Sequence, residues 1–593
     1  MPNFSVGKTR RDFLRDTAFV GAAATFGGGA LLEACGTSTS SGKPTSSGKP
    51  TRKNTLFIGG FQWGPPTTFN PFGGNSAWPT GAGPEAGYSH LYETLFGFNL
   101  LDGTLKPVLG KSLSYPDQST AVVQLYQEAH FADGKPVTAD DVVYTFQLAK
   151  THTYLNHAEF WTYVTDMVAK DSHTVQLTLS ADNLNPGQVQ HFLAFQPIVP
   201  KHVWTRIEAR GGSLLDYVEM SPVGSGPYKL HDANQQQVVL VRDDKWWGNG
   251  IFGAPAPAYI THPILKDNDA ANLAFQNGEL DYSQTFTPQI WLEWQQKNLP
   301  VATWYRQAPY YVPGQIPLIF LNVHRKGLDT PKVRQALAYS IDYAKIAATA
   351  MSSYSVPANA SLIIPDGAEK KFFDSAGVSQ TGWKTDTQKA VQILEQDLGA
   401  KKGSDGIYVL PDGTRLGPWK AQCPNGWTDW QATLQVVSDS AKALGIDIQT
   451  FFPEATQDIP ALQNGDFDIG MYSARGADPA SPWARFHDAM SSKLVPPAGQ
   501  TAFWNYGRFS DPAAEPLLTQ TASASKAQQP QLYAQLDDLF RKNVPVIPMM
   551  YRPLEFYQYN ESVWTGFPNS SNPFAPPSQL GAGIRMLSKI KVK

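Results

Sequence analysis

A chain of 593 residues, 42% of them hydrophobic, is too long for one core, and a formal net charge of −3 gives no basic excess to hold a nucleic acid. Two cysteines allow at most one disulfide, and eleven histidines without an HxxxH spacing, in a chain with no cysteine cluster, give no reason to expect a metal or other cofactor. GxSxG, a P-loop and a GxGxxG after a strand are also absent, which argues against the common hydrolases and nucleotide enzymes.

The first thirty-five residues read as an address. Thr9, Arg10, Arg11, Asp12, Phe13 and Leu14 carry a twin arginine before an aromatic and a leucine, and a run rich in Gly and Ala follows over residues 18–32. This order of basic, apolar and small residues is that of a bacterial export signal of the twin-arginine type. It ends in Leu32-Glu33-Ala34-Cys35, which resembles a lipobox whose Cys35 would be acylated. A transmembrane helix needs roughly 20 strongly apolar residues, and more than half of residues 18–32 are Gly or Ala. Residues 36–53, "GTSTSSGKPTSSGKPTRK", are almost wholly Ser, Thr, Gly, Pro and Lys, a composition that cannot repay its ordering entropy and predicts a flexible tether. With Cys35 committed to lipid, Cys423 has no partner for a disulfide.

Beyond the tether, "NTLFIGG" (54–60) predicts a strand ending in a glycine pair, followed by a proline-rich loop that contains Trp63. "STAVVQLYQ" (119–127) alternates as a half-buried strand. Thr138 can cap a helix whose first turn holds Asp140 and Asp141 and whose apolar stripe is Val142, Val143 and Phe146. Gly224 and Gly226 in "GSGPY" are placed where a turn would need positive φ. Asp329-Thr330-Pro331 predicts a capped helix with Val333, Leu337 and Ile341 facing a core, and "DGIYVLPDGTRL" (405–416) predicts a hairpin.

Taken together, "LYETLFGFN" (91–99), "LKPVLGKSL" (105–113), "FADGKPVTADDVVYTF" (131–146), "IVPKHVW" (198–204), "VGSGPYKL" (223–230), "DDKWWGN" (243–249), "NGELD" (277–281), the segment 318–346, "NGDFDIGMY" (464–472) and "VPVIPMMY" (544–551) resemble the family 5 extracellular solute-binding proteins of ABC importers. The resemblance implies an α/β, two-lobed periplasmic-binding-protein-like fold with a hinge and an extra subdomain inserted in the first lobe. It places lobe 1 at 54–315, with the insertion at about 88–200, lobe 2 at 316–545, and a C-terminal return to lobe 1 at 546–593. The expected protein is a non-enzymatic, monomeric receptor. It would sit on the outer face of the cytoplasmic membrane, held by lipid alone, or in the periplasm, and would pass its solute to a membrane permease.

Aromatic residues make up 12% of the chain, and many sit beside Gly, Pro or Asn, which suits a ligand with flat apolar faces and polar edges; packing of cores accounts for most of them. "GWTDW" (426–430) precedes a helix expected at 431–444, so a loop would carry Trp427, Asp429 and Trp430. Indole faces stack on sugar C–H faces and a carboxylate accepts from hydroxyl pairs. The pentapeptide and "VWTGFPNSSNPF" (563–574) are similar to a clade of the family that binds β-linked oligosaccharides such as cellobiose. Equally, Trp430 can be core and Asp429 a cap. Further candidates are Trp63, then Tyr472, Arg475, Asp478 and Trp483 in "MYSARGADPASPW", then Trp504 and Asn505 in "FWNYGRF". In peptide-binding relatives an Asp in the segment of Asp478 holds the peptide's α-amine, although Asp478-Pro479 also reads as a helix start. Trp246 and Trp247 belong to a structural motif. Three functions stay open: an oligosaccharide receptor, an oligopeptide receptor, and a secreted glycosidase, which would require a pair of carboxylates across the bond.

Overall fold

Thr55–Gly59 is buried at every position because it runs through the middle of a seven-stranded sheet. In order across that sheet lie Val301–Thr303, Gln558–Asn560, Tyr282–Ser283, Thr55–Gly59, Tyr259–Pro263, Gln237–Arg242 and Tyr228–Ala233. Thr55–Gly59 pairs in parallel with both neighbours, and a strand covered on both faces needs a continuous apolar run such as Leu56-Phe57-Ile58. The computed structural model describes residues 49–73, 76–80, 89–497 and 500–593, with the backbone alone at Thr456. The export signal, Cys35 and most of the tether lie outside the described residues.

The inserted subdomain is a second, antiparallel sheet of four strands ordered Gly110–Asp117, Thr120–Leu125, Thr174–Leu179 and Val164–Asp171. Alternation in Thr120–Leu125 sends Ala121, Val123 and Leu125 into the core, where the Ala139–Thr151 helix lays Val142 and Phe146 over them. Asp141 closes that helix's first turn by accepting from the Thr138 N–H at 2.9 Å and its hydroxyl at 2.7 Å. Trp246 and Trp247 pack in this core, and the Trp247 Nε1–H donates to Glu93 at 2.9 Å. Gly224 and Gly226 do not occupy positive φ. They are needed because a Cβ at either would collide with the carbonyls of Leu91 and His90, against which the turn is pressed.

The second lobe is built on a five-stranded sheet ordered Ile448–Phe451, Trp419–Gln422, Ile469–Ser473, Pro317–Leu321 and Val546–Pro548. The first three run parallel and the last two are antiparallel additions. Val546–Pro548, expected to begin the return to the first lobe, instead completes this sheet, because Val546 and Ile547 pair with Phe320 and Ile319. The return begins at Arg552–Pro553, which pairs with Pro313–Gln315, so the two crossing segments form a small antiparallel ribbon between the lobes. From there the chain reaches Trp564, whose indole N–H donates to Thr55 O at 3.0 Å and fastens the C-terminal segment to the first strand. The Pro331–Ser340 helix has Thr330 at its N-cap and Val333 and Leu337 buried. The expected hairpin is reduced to a tight turn with one bridge between Val409 and Arg415, while Tyr408–Val409 pairs with Lys401–Lys402.

Candidate ligand-binding site

The helix containing the pentapeptide runs over Thr428–Leu444, three residues earlier than expected, with Trp427 at its N-cap. The motif is therefore a first helical turn and not a loop, and side chains three apart on it fall on one side. Trp427 keeps part of its surface in solvent, while Trp430 is 4% exposed and meets it edge-on with ring centroids 4.6 Å apart. Asp429 is the second helical residue and not the cap. Its carboxylate lies 3.3 Å from Arg552 Nε on the crossing segment, so it ties the helix start to the hinge.

From Trp430 a row of rings crosses the lobe. Tyr472 stands edge-on to Trp430 at 6.1 Å, Tyr506 to Tyr472 at 5.7 Å, and Trp504 is tilted over Tyr506 at 6.4 Å. The row ends where the Arg475 guanidinium lies 5.3 Å from the Trp504 ring centre. Arg475 follows the Ile469–Ser473 strand, and its Nε approaches Asp488 on the Trp483–Met490 helix at 3.2 Å. Burial opposes its charge, but Asp488 first, then Asp478 and Glu159, outweigh burial and push the guanidinium above its ordinary value.

Arg475 stands at the junction of two cavities between the lobes. One, of about 370 Å³, is lined by Phe72, His191 and Phe195 of the first lobe and by Arg475, Phe503 and Trp504 of the second. The other, small at about 40 Å³, lies between Arg475, Asp478 and the C-terminal segment carrying Glu555 and Leu580. Glu555 is buried, which raises its carboxyl's pKa, and it accepts from the Tyr282 hydroxyl at 2.6 Å. Asp478 is 5% exposed, and its carboxylate lies 3.0 Å from His191 Nδ1 on the Pro186–Phe195 helix of the opposite lobe. Burial opposes the Asp478 charge, yet His191, Arg475 and the Ala480 N–H together hold the carboxyl below its ordinary value. Asp478 starts a turn by accepting from Ala480 N at 2.7 Å, but the helix begins only at Trp483.

Two candidates have their polar atoms occupied by the protein. The Trp483 indole N–H donates to Leu518 O at 2.8 Å and its ring stacks on His487, so it braces the Trp483–Met490 helix. Asn505 is 1% exposed at φ 49°, and its amide donates to Ser491 O and Phe509 O while its carbonyl accepts from Phe509 N, which makes it the pin of its loop. Trp63 is 43% exposed on a loop held by the Phe61 and Gln62 amides, which donate to His262 Nε2. The sequence gives no sign of His191, Gln188, Phe195 or Phe72, since each sits in an ordinary amphipathic or loop context and reaches the cleft only through tertiary packing.

Residues 104–493, about two thirds of the chain, match the model of the bacterial extracellular solute-binding proteins, family 5. Among curated relatives, the probable peptide-binding protein YejA of Agrobacterium fabrum is 24% identical over 76% of this chain and 78% of its own. The glutathione-binding protein GsiB of Escherichia coli is 25% identical over 82% of this chain and 87% of its own. Among solved structures, a periplasmic oligopeptide-binding protein of an oligopeptide ABC transporter from Thermotoga maritima superposes with a TM-score of 0.83 at 28% identity, over 91% of this chain and all of that one. A second structure of that protein, bound to mannohexaose, gives 0.79 at 29%, over 92% of this chain and all of the other. With two lobes, a crossing ribbon and a cleft between them, the chain belongs to the family 5 extracellular solute-binding proteins, the receptors of ABC importers.

Proposed function

We propose that this protein is a lipid-anchored receptor that captures a β-linked oligosaccharide outside the cytoplasmic membrane and delivers it, chemically unchanged, to the permease of an ABC importer. The observation that carries this reading is the row of rings from Trp427 through Trp430, Tyr472 and Tyr506 to Trp504, which ends at a cavity shared by both lobes. Trp427, Tyr472 and Trp504 keep part of their surfaces open, with Trp430 and Tyr506 packed behind them, and such aromatic surfaces suit the C–H faces of linked sugars, while Asp429 and Arg475 supply polar partners along the same row. A mannohexaose complex of a 28–29% identical protein supports an oligosaccharide ligand.

Closure follows from contacts that each ligand makes with both lobes only when they meet, so occupancy shifts the population toward the closed form. A cleft that closes also desolvates its solute, which lets stacking and modest hydrogen bonds add up. The permease then meets a loaded receptor with a different outline from an empty one. The tether and Cys35 would keep that receptor near the membrane while leaving it free to turn.

A peptide ligand is the second reading, favoured by the names of the curated relatives and by Asp478 in the cleft. A thermal-shift screen of the purified protein against mannohexaose, cello-oligosaccharides, xylan fragments, α-glucans and tetraalanine separates the two, since a ligand of the native state raises its melting point. Stabilisation by a β-linked oligosaccharide, with no product after prolonged incubation, is the expected result. Stabilisation by peptide alone would replace the sugar reading, and cleaved oligosaccharide would replace the receptor reading.

A further inference from the structure

The Pro186–Phe195 helix of the inserted subdomain meets the second lobe at two polar points with the same spacing on each side. Gln188 Oε1 lies 3.5 Å from Arg475 Nη1, and three residues on in both segments His191 Nδ1 lies 3.0 Å from Asp478 Oδ2. The backbones are equally close: a Cβ on Gly187 would sit 3.0 Å from Pro479 O and 3.2 Å from Ala480 Cα. His191 and Asp478 are 8% and 5% exposed, and the imidazole is fixed from behind by stacking on Phe195 at 4.9 Å. A carboxylate this far from water is costly to leave alone, because its charge then stays buried without a partner.

The other carboxylates around these cavities are also engaged by protein donors. Glu159 accepts from the Tyr163 hydroxyl at 3.0 Å, Glu555 accepts from Tyr282 and Ser578, and Asp488 faces Arg475. An ammonium group entering the cleft would therefore share each carboxylate with a donor already in place and would meet the Arg475 cation nearby. An uncharged solute pays neither cost.

We propose that His191 is a specificity-determining residue: by engaging Asp478 from the opposite lobe it withdraws the carboxylate best placed to hold a solute's ammonium group, and so turns the cleft toward uncharged ligands. Its consequence for ligand choice rests on the oligosaccharide reading above, whereas the preference it controls is measured separately.

The test is calorimetric titration of the wild type, His191→Ala, His191→Gln and the double variant His191→Ala/Asp478→Asn with mannohexaose, tetraalanine and N-acetyl-tetraalanine. The wild type should bind neither peptide, or both alike. His191→Ala should bind tetraalanine at least tenfold more tightly than its acetylated form, and the double variant should lose that preference. His191→Gln, which keeps the bulk of the side chain and puts a hydrogen-bonding amide in place of the imidazole, should show a smaller preference in the same direction, and it carries the test if His191→Ala does not fold. A tenfold preference for the free amine in the wild type overturns the proposal, as does its absence from both His191 variants. Failure of the wild type to bind mannohexaose or any other oligosaccharide overturns the functional reading instead, and leaves the ratio of the two peptides as the measure of His191.

Discussion

Trp427 and Trp430 are the same residue type three positions apart, and the first turn of one helix gives them different surroundings. Trp430 is covered by Trp427 on one side and Tyr472 on the other, whereas Trp427 has solvent on its outer face. Trp427→Ala is therefore expected to weaken oligosaccharide binding by about 1–3 kcal/mol in calorimetry and to leave the melting temperature of the empty protein nearly unchanged. A fall in melting temperature with affinity intact would make Trp427 a packing residue. His157 offers a test of burial. It is 3% exposed, hydrogen-bonded to Thr145 O at 3.0 Å and stacked on Phe72, and burial lowers its pKa to about 4. The unfolded chain holds a proton on this imidazole from about pH 6.5 downward and the folded chain only below about 4, so acidification through that window favours unfolding. Between pH 7 and 5 this residue should cost about 2 kcal/mol of stability. His157→Gln should lose that increment from the pH dependence of its urea midpoint, and an unchanged slope would contradict the assignment.

Elements are where local pattern and tertiary demand can be compared directly. The Ala139–Thr151 helix begins where Thr138 and Asp141 predict it because capping is a contact between residues three apart. The Thr428–Leu444 helix begins three residues before the start expected from the sequence, and Asp429 in its first turn is held by what lies beyond the helix, Arg552 on the crossing segment. On its buried face Leu434 is fully covered, so Leu434→Ala should lower unfolding stability by about 2–5 kcal/mol in urea titrations, against a small effect for a change at exposed Gln435. Gly224→Ala probes close approach, not φ. The added methyl has nowhere to go beside the Leu91 carbonyl, and the expected loss is about 3 kcal/mol or failure to fold. Tolerance of alanine there would mean that the turn can retreat from the strand before it.

At the scale of the molecule, the lobes are joined by a two-strand ribbon and meet again beside it through His191 and Asp478, next to Ala477, whose N–H donates to Gly314 O of the ribbon. A ligand that bridges both lobes should reduce the radius of gyration in X-ray scattering relative to the empty protein, and a bound oligosaccharide that leaves the scattering curve unchanged would contradict closure. If Cys35 is the proposed anchor, Cys35→Ser is expected to release the protein from the membrane fraction with oligosaccharide affinity intact, since the proposed tether would separate that anchor from the cleft. A variant that remains membrane-bound after export would rule out the lipid anchor.

Much of the framework was legible because it is written in short-range patterns. The buried run of Thr55–Gly59, the alternation of Thr120–Leu125 and the Pro-led helix at Pro331–Ser340 each depend on neighbours within a few residues, and the family motifs recur along most of the chain. The candidate site was legible only as a set of residue types. Trp483 is the same residue type as Trp427 and Trp504, and Asn505 adjoins Trp504, yet the polar atoms of Trp483 and Asn505 turn inward to Leu518, Ser491 and Phe509. By itself the sequence determined the strands and helices with strong local periodicity and membership of a receptor family. Only the tertiary structure decided which aromatics form a row, where the chain returns to the first lobe, and that Gln188 faces Arg475 across 287 residues of sequence. Propensity and capping act over a turn of chain, whereas a cleft is made by surfaces that meet only after both lobes have folded.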